Sequence, residues 1–278
     1  MERYNISGGI MVFLGALFWS LNAPIVKFLT IDSFLICGLR SMIAAVALVW
    51  FIRPKQLRWN GWMLLYVCSY AALCLSIILA LTMTSAPVAI GMQYTAAIWL
   101  FLSNLLMTKK FNVKAFIPVC IIFIGVIFFM SSGTDSTSQL GNIIALCEGI
   151  LFAFMTVSSQ KAAGENPLGL TSVANIFTGL VILCLFPASF KGIVTMTGTE
   201  WLIMVVLGVV QVGGGYAFYN LGIQKVSPQK ASVIALWEMI LGPVWVALFL
   251  KEYPTPVVVL GFVIILVGML LDTVWNSV

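Results

Sequence analysis

Three ionisable side chains stand inside long apolar stretches of the sequence: Arg40, Glu148 and Glu238. A charge at the centre of a lipid-spanning helix costs about 2.5 to 3.5 kcal/mol, so such residues are usually kept for function or pair with one another. Each lies about nine or ten residues from the end of its apolar stretch. At about 1.5 Å of rise per residue, all three are expected near the midplane of a bilayer, where they could share one cavity or pair directly.

Glu238 is the first candidate for a functional group. On a helix it shares a face with Ala235 and Gly242, whose small side chains let helices approach or leave room for a ligand. Its carboxylate could bind a cationic group of a substrate or carry a coupling proton, and Glu148 has the same options. Arg40 could bind a substrate carboxylate through two parallel hydrogen bonds. The alternative for all three is a structural ion pair or a hydrogen bond to a neighbouring hydroxyl.

Polar and aromatic residues at similar depth form a second group of candidates. They are Trp19, Asn22, Gln93, Tyr94, Asn175, Gln211, Tyr216, Tyr219, Asn220 and Trp237. Asn175 follows Pro167 at the same spacing as Arg40 follows Asp32, so the two are predicted to be related positions. Together these side chains predict the lining of a cavity for an aromatic or amphipathic ligand, or for a quaternary amine held by cation–π contact. The alternative for each is interhelical hydrogen bonding or apolar packing.

The elements that position these residues must be membrane helices. Of the 278 residues, 62% are hydrophobic and 8% are charged, whereas soluble domains carry about 25% charged residues. A helix needs roughly 20 apolar residues to cross the bilayer. The apolar stretches predict ten such helices, at residues 7–28, 31–52, 60–82, 86–107, 112–130, 140–160, 168–188, 200–223, 228–249 and 255–274.

Basic residues in the loops predict how these helices are oriented. With the N-terminus in the cytoplasm, ten basic residues fall inside: Arg3, Arg53, Lys55, Arg58, Lys109, Lys110, Lys114, Lys161, Lys225 and Lys230. Only Lys27, Lys191 and Lys251 fall outside. Because cytoplasmic loops carry an excess of Lys and Arg, we expect a multi-pass protein of the cell membrane with both termini in the cytoplasm.

Glycine and proline mark positions where these helices should depart from regularity. Gly213–Gly215 is too glycine-rich for a plain helix and predicts a hinge or a close helix crossing. Pro24, Pro118 and Pro243 are predicted kinks that could help helices to bend during transport.

Several classes of function are disfavoured. The chain has no histidine, and its six cysteines lie in apolar stretches without a CxxC pair, so we expect no metal site, disulfide or cofactor. No phosphate-binding loop is present, and the scattered basic residues make no patch for nucleic acid. Because the acidic residues are mostly isolated, we find no catalytic cluster and expect no enzyme.

The sequence also contains signs of an internal duplication. Ser85-Ala86-Pro87-Val88-Ala89 resembles Ser227-Pro228-Gln229-Lys230-Ala231, and in each half an apolar helix leads from this stretch to a lysine, Lys109 or Lys251. Both the serines and these lysines are 142 positions apart. We therefore divide the chain into repeats at 1–134 and 135–278. Five helices per repeat is an odd number, so the repeats would enter the membrane from opposite sides, as in many secondary transporters.

These motifs resemble the drug/metabolite transporter superfamily, in particular its EamA-type members with ten helices. The resemblance rests on Gly15–Ser20, on Arg40, and on the stretch from Ala231 through Glu238 and Pro243 to Lys251-Glu252. Lys109-Lys110 stands where the family usually has Gly-Glu. The resemblance implies an all-α membrane protein in which two inverted five-helix repeats surround a central cavity. It also implies transport of small metabolites, often the export of amino acids or related compounds.

The resulting hypothesis is a secondary transporter that exports a small metabolite by alternating access. Having both a buried Arg40 and buried glutamates favours an amino acid or a related amphipathic or cationic compound. The coupling ion could be a proton, and the expected partners are the small-molecule substrate and the lipid bilayer. The alternatives are a membrane scaffold or assembly protein, a pore-type channel and, less favoured, an integral membrane enzyme.

Overall fold

Helices account for all regular secondary structure in the part of the chain that the structure, a computed structural model, describes. That part comprises residues 2–132, 136–162, 166–223, 225–226 and 228–275, without the side chains of 2–7, 107, 136–137, 156, 159–160, 220, 223 and 228–233. We group the helices into ten segments, I to X, which correspond to the ten predicted helices.

The first five segments contain seven helices. Segment I is α1 (Glu2–Ser20) and α2 (Asn22–Phe28), II is α3 (Ser33–Leu48), III is α4 (Gly61–Met83), IV is α5 (Ala86–Gln93) and α6 (Ala96–Thr108), and V is α7 (Val113–Met130). The last five are VI, α8 (Ser136–Ala162); VII, α9 (Pro167–Leu185); VIII, α10 (Gly198–Val205), a π-helix (Val206–Gly214) and α11 (Gly215–Ile223); IX, α12 (Pro228–Leu250); and X, α13 (Pro256–Trp275). Short 3₁₀ turns lie at Val49–Phe51, Pro54–Gln56 and Ser189–Thr195.

Most segments are long enough to cross a bilayer. Among the described residues, nine stretches are sufficiently long and apolar, and Ile234–Leu250 in segment IX is a shorter apolar helix. The large hydrophobic side chains on the outer faces of the helices are exposed, as expected where lipid takes the place of water. The chain is therefore an all-helical, multi-pass membrane protein.

Polar side chains fix where several helices begin. Asp32, Asn60, Asn112 and Asn166 each precede a helix, and their side chains accept hydrogen bonds from backbone N–H groups of its first turn. Thr197 and Glu200 form a capping box at the start of α10. These caps satisfy backbone donors that have no partner within the helix, so they stop the chain from extending the helix backward.

Segment I is interrupted where the sequence predicts one continuous helix. The break lies at Leu21, between α1 and α2, and Pro24 follows three residues later. Proline has no N–H, so Pro24 cannot bond the carbonyl of Ser20, and its ring crowds that carbonyl. Pro24 thus acts as the kink that the sequence predicts. Pro118 and Pro243, by contrast, lie inside α7 and α12 without interrupting them.

Segment IV is also interrupted, at Tyr94 and Thr95, although no proline is present. Here the backbone N–H groups of Tyr94 and Thr95 bond the carbonyls three residues back, at Gly91 and Met92, as in a 3₁₀ turn. The hydroxyl of Thr95 also donates to the Met92 carbonyl over 2.7 Å. A threonine hydroxyl that bonds the backbone in this way competes with the helical pattern, which explains a break that the sequence prediction missed.

Segment VIII changes its helical form where the sequence contains its glycine run. The π-helix Val206–Gly214 includes two of the three glycines, and Gly215 opens α11. A Cβ added at Gly215 would overlap with the indole ring of Trp19, and one at Gly214 would lie 3.2 Å from the ring of Phe18. Of the two predictions for this run, the described contacts therefore match a close helix crossing.

The packing of the segments follows a regular pattern. Three sets of two pairings correspond to each other. The pairing III–VI corresponds to I–VIII, the pairing I–IX corresponds to IV–VI, and the pairing II–VIII corresponds to III–VII. Segments II and VII, IV and IX, and V and X also pack against each other. When every segment is replaced by the one five places away, the first six of these pairings exchange two by two, and the last three are unchanged. Segments I, II, III, IV, VIII and IX surround the candidate site.

Candidate functional site

Glu238 projects from α12 toward the interruption of segment IV. Its carboxylate oxygen Oε2 accepts a hydrogen bond of 3.2 Å from the hydroxyl of Tyr94, the residue that follows α5. Glu238 is partly exposed, whereas Tyr94 is buried. About two turns further along α12, the indole nitrogen of Trp245 donates over 3.0 Å to the hydroxyl of Ser20, the last residue of α1. The helix that carries Glu238 thus contacts both interrupted segments.

Aromatic rings form a continuous cluster beside Glu238. The ring of Trp19 lies 4.9 Å from Tyr216 and 4.8 Å from Tyr219, and Tyr216 lies 5.8 Å from Tyr70. Both Tyr216 and Tyr219 are close enough to Glu238 to interact with it electrostatically. The buried indole nitrogen of Trp19 has no hydrogen-bond partner among the described residues. The cluster therefore offers aromatic faces and one unused donor next to a carboxylate.

Arg40 lies at the opposite end of this cluster and is only 3% exposed. Its Nη1 donates to Oδ1 of Asn22 over 2.8 Å, and its Nη2 donates to the backbone carbonyl of Cys74 over 3.1 Å. Asn22 is the first residue of α2, so the guanidinium ties the restart of segment I to segments II and III. Nε of Arg40 has no partner within the described chain.

Two further predicted residues lie on elements that pack around Arg40. The side-chain nitrogen of Asn175 donates to the Tyr70 hydroxyl over 3.0 Å and to the Thr171 carbonyl over 2.9 Å, whereas its Oδ1 has no partner in the described part. Gln211 is in the π-helix, which packs against α3, and its buried Oε1 is likewise without a described partner. Buried polar atoms rarely stay unbonded, so these oxygens are available to a ligand or to water.

The site therefore has a negative and a positive end, separated by tyrosine rings. Glu238 interacts electrostatically with Tyr216, Tyr216 contacts Tyr70, and Tyr70 interacts electrostatically with Arg40. Within the described residues, Arg40 makes no ion pair with Glu238 or with Glu148. The ion pair that the described residues contain joins Lys27 to Glu252. Charges of opposite sign are thus kept apart across an aromatic region, an arrangement that can hold a solute with both a cationic and an anionic group.

The match to known proteins identifies the family of this chain. The model of the EamA-like transporter family matches residues 6–131 and again residues 139–273. The chain belongs to the EamA-like transporter family. Its resemblance to drug/metabolite transporters, seen in the sequence motifs, is thereby confirmed, and the family makes the chain a membrane transporter.

Individual relatives agree with this membership. A protein from Archaeoglobus fulgidus that is described as an uncharacterized transporter is 23% identical over 196 residues, which is 70% of each chain. A protein of known crystal structure superposes with a TM-score of 0.64 at 15% identity, over 97% of this chain and 98% of that one. At this identity the structural likeness concerns the fold alone.

Glu148 lies apart from the other two predicted charges of this EamA-like chain. It is on α8, is 1% exposed, and its Oε1 has no hydrogen-bond partner among the described residues. Segment VI packs against segments III and IV, and the neighbouring Gly149 packs directly on Thr95. Glu148 and Glu238 thus lie on segments that contact the same interruption in segment IV.

The remaining predicted residues are less closely tied to this arrangement. Gln93 is the last residue of α5 and is partly buried next to Tyr94. Trp237 is 46% exposed and packs edge-on against Phe13 at 5.9 Å, so the structure does not bring it into the aromatic cluster. The side chain of Asn220 lies outside the described residues.

Two features of the site were missed at the sequence level. Tyr70 connects Asn175 to Tyr216, yet in the sequence it is one tyrosine in an apolar helix, and only the spacing of Tyr66, Tyr70 and Cys74 marks one helical face. The second feature is the ion pair between Lys27 and Glu252, which are far apart in the sequence. Lys27 is in the last turn of α2, and Glu252 is in the connection between α12 and α13. The described residues contain no group of three potential metal ligands.

Proposed function

We propose that this protein is a secondary transporter that exports a small amphipathic metabolite, an amino acid or a related cationic compound, by alternating access. The observation that carries the proposal is the pair of separated charges, Glu238 and Arg40, at the two ends of an aromatic cluster between interrupted helices. The direction of transport follows from the resemblance to exporters. The protein moves its substrate without converting it chemically.

The proposed substrate class follows from the chemistry of the two ends. Glu238 accepts one hydrogen bond from Tyr94 and can accept others from an ammonium group. The rings of Trp19, Tyr216 and Tyr219 attract a cation through their faces. At the other end, Nε of Arg40 can donate to a carboxylate, while Oδ1 of Asn175 can accept from a substrate donor. A zwitterion of amino-acid type uses both ends at once.

The proposed architecture is ten transmembrane helices in two inverted repeats, residues 1–134 and 135–278, around a central cavity. Three observations support it: the two separate family matches, the symmetric pairing of the segments, and the left-handed backbone of Lys109 and Lys251 at equivalent helix ends. We place the protein in the cell membrane with both termini in the cytoplasm, because this orientation puts most loop lysines and arginines inside.

Alternating access requires segments that change shape around a fixed site. Segments I and IV are interrupted beside the site, and half-helices of this kind supply free backbone groups and hinge points in many transporters. The energy must come from a gradient, and the buried carboxyl of Glu148 and the partly exposed carboxyl of Glu238 can each bind one proton. We therefore propose a proton as the coupling ion.

The decisive experiment measures stabilisation of the purified protein by candidate ligands. A ligand that binds the native state raises the melting temperature, so a panel of amino acids, amines, nucleosides and drugs is tested on the wild type and on Glu238→Gln. We expect one class of compound to stabilise the wild type, a smaller effect in Tyr94→Phe, and none in Glu238→Gln.

The matched control is Glu200→Gln, which removes a carboxyl that caps α10 and lies away from the cluster. This variant should respond to ligands as the wild type does. Stabilisation that survives in Glu238→Gln would remove Glu238 from the substrate site. If no compound of any class stabilised the wild type, the proposed amphipathic substrate would be wrong.

A further inference from the structure

Glu148 occupies a position that substrate binding does not explain. Its side chain is 1% exposed, Oε1 accepts no hydrogen bond from the described residues, and it has no basic partner there. Transfer of an isolated carboxylate into an apolar interior is costly, whereas a bound proton removes the charge. A carboxyl in this setting is therefore suited to hold a proton rather than a cationic solute.

Among the described residues, no titratable group on the helices that pack against α8 offsets the charge of Glu148. Segments III, IV, V and VII pack against α8, and their titratable side chains are Tyr66, Cys68, Tyr70, Cys74, Tyr94, Lys114, Cys120 and Cys184. None of them interacts electrostatically with Glu148; Tyr70 and Cys74 interact instead with Arg40, and Tyr94 with Glu238.

The interruption of segment IV connects the regions of Glu148 and Glu238. On one side, a Cβ at Gly149 would overlap with the Thr95 hydroxyl and lie 3.1 Å from the backbone nitrogen of Ala96. On the other side, the preceding residue, Tyr94, donates its hydroxyl to Glu238. A change in the backbone at Tyr94 and Thr95 must therefore alter the packing next to Glu148 and the hydrogen bond to Glu238 together.

We infer that Glu148 is a proton-binding site separate from the substrate site, and that the interruption of segment IV couples it to Glu238. The inference rests on the proposed function for its role in transport. Glu238 then contacts the substrate, while Glu148 takes up a proton from water on one side of the membrane and releases it to water on the other.

Infrared titration of the full-length protein in lipid vesicles tests this inference without any substrate. A protonated carboxyl has a C=O stretching band that disappears on ionisation. We expect the wild type to show such a band at neutral pH and to lose it reversibly at alkaline pH. The component of this band that Glu148 contributes should be missing in Glu148→Gln, and it should be present in Glu238→Gln and in the control Glu200→Gln.

The coupling is read from the same titrations. Replacing Glu148 with Gln should shift the pH midpoint at which the Glu238 carboxyl ionises, because Gly149, next to Glu148, packs on Thr95, and Tyr94 donates to Glu238. Glu148→Asp keeps a titratable group and should restore the band if the Gln variant folds poorly. Equal Glu238 midpoints in the wild type and Glu148→Gln would overturn the coupling.

Two other results would overturn the proton site. One is a Glu148 carboxyl that is already ionised at neutral pH. The other is a band that persists at the highest pH at which the protein remains folded, because a carboxyl that never releases its proton cannot carry protons. Neither result would contradict the proposed transport function, because ligand-induced stabilisation tests that function in a separate measurement.

Discussion

Within single polar side chains of this protein, some atoms form hydrogen bonds to other residues and other atoms have no described partner. Arg40 donates to Asn22 and to the Cys74 carbonyl, so two of its nitrogens serve to hold helices together. Asn175 is divided in the same way, with a bonded nitrogen and an oxygen that has no described partner. The atoms without a described partner, rather than whole side chains, are therefore the points at which the proposed substrate would bind.

Lys109 is a residue whose backbone conformation, rather than its side chain, limits stability. It ends α6 with a φ of 54°, and Lys251, 142 positions later, has a φ of 55°. The left-handed region costs a non-glycine residue about 1 kcal/mol or more, and helices prefer glycine there. We expect Lys109→Gly to raise the free energy of unfolding by up to about 1 kcal/mol, measured as a higher melting temperature in detergent.

The adjacent Lys110→Gly is the matched control, because it removes the same charge at a residue without a positive φ. It should leave the melting temperature unchanged or lower it, since glycine adds freedom to the unfolded chain. Equal effects of the two substitutions would show that charge, and not backbone strain, determines stability at this helix end.

At the scale of the helices, the close crossing between segments I and VIII determines where Trp19 lies. Gly215 leaves room for the indole ring of Trp19, and the ring in turn contacts Tyr216 and Tyr219. We expect Gly215→Ala to force this ring to move and to destabilise the protein by about 1 to 3 kcal/mol, the usual cost of overpacking. Thermal unfolding measures the loss.

The control for this crossing is Gly9→Ala, in α1, the helix of segment I that also carries Trp19. Its nearest neighbour would be Cδ1 of Ile234 at 3.6 Å, an ordinary van der Waals contact. Alanine is the better helix former by about 1 kcal/mol, so this variant should be as stable as the wild type or more so. A Gly215→Ala protein of wild-type stability and ligand response would contradict the role of the crossing.

The helices also show which parts of the fold could be predicted from the sequence. Long apolar runs predict the segments well, because crossing lipid demands about 20 apolar residues whatever the tertiary contacts are. The break in segment I is marked by Pro24. The break in segment IV is not marked, since it depends on a threonine hydroxyl that bonds the Met92 carbonyl, and most threonines in helices cause no such break.

The candidate site was harder to predict because it depends on how helices are rotated about their axes. Depth in the membrane can be counted along the sequence, and Trp19, Tyr94, Tyr216 and Glu238, which this count groups, interact with one another in the structure. The hydrogen-bond partners of Arg40 could not be identified by counting depth along the sequence. Its contact with the carbonyl of Cys74 requires the relative rotation of α3 and α4, which composition does not specify.

At the scale of the whole molecule, the two ends of the helix bundle differ in charge. Lys27 forms an ion pair of 3.0 Å with Glu252 and donates to the Thr84 carbonyl over 3.1 Å, so it joins segment I to the connections III–IV and IX–X. A cavity of roughly 610 Å³ lies at this end and is lined by both charged residues. The position equivalent to Glu252 in the first repeat is Lys110, which makes no ion pair with described residues.

This asymmetry predicts which end is held closed more firmly. The Lys27–Glu252 pair is partly exposed, with side chains 15% and 37% exposed, so it should contribute about 0.5 to 1 kcal/mol. Breaking it with Glu252→Gln should shift the population toward opening at this end by roughly two- to fivefold. At the opposite end, where Lys110 is in the equivalent position, the described residues contain no such pair.

Cysteine labelling measures this shift directly. Leu81 lines the cavity near Lys27 but is only 1% exposed, so Leu81→Cys, in a background without the six native cysteines, reports opening through its reaction with a polar maleimide. The rate should rise in Glu252→Gln and return toward the original value when Lys27→Glu and Glu252→Lys are combined, because the swapped pair restores the attraction. If the swap labels as fast as Glu252→Gln, the ion pair does not hold this end closed and the bias must come from the packing of the helices instead.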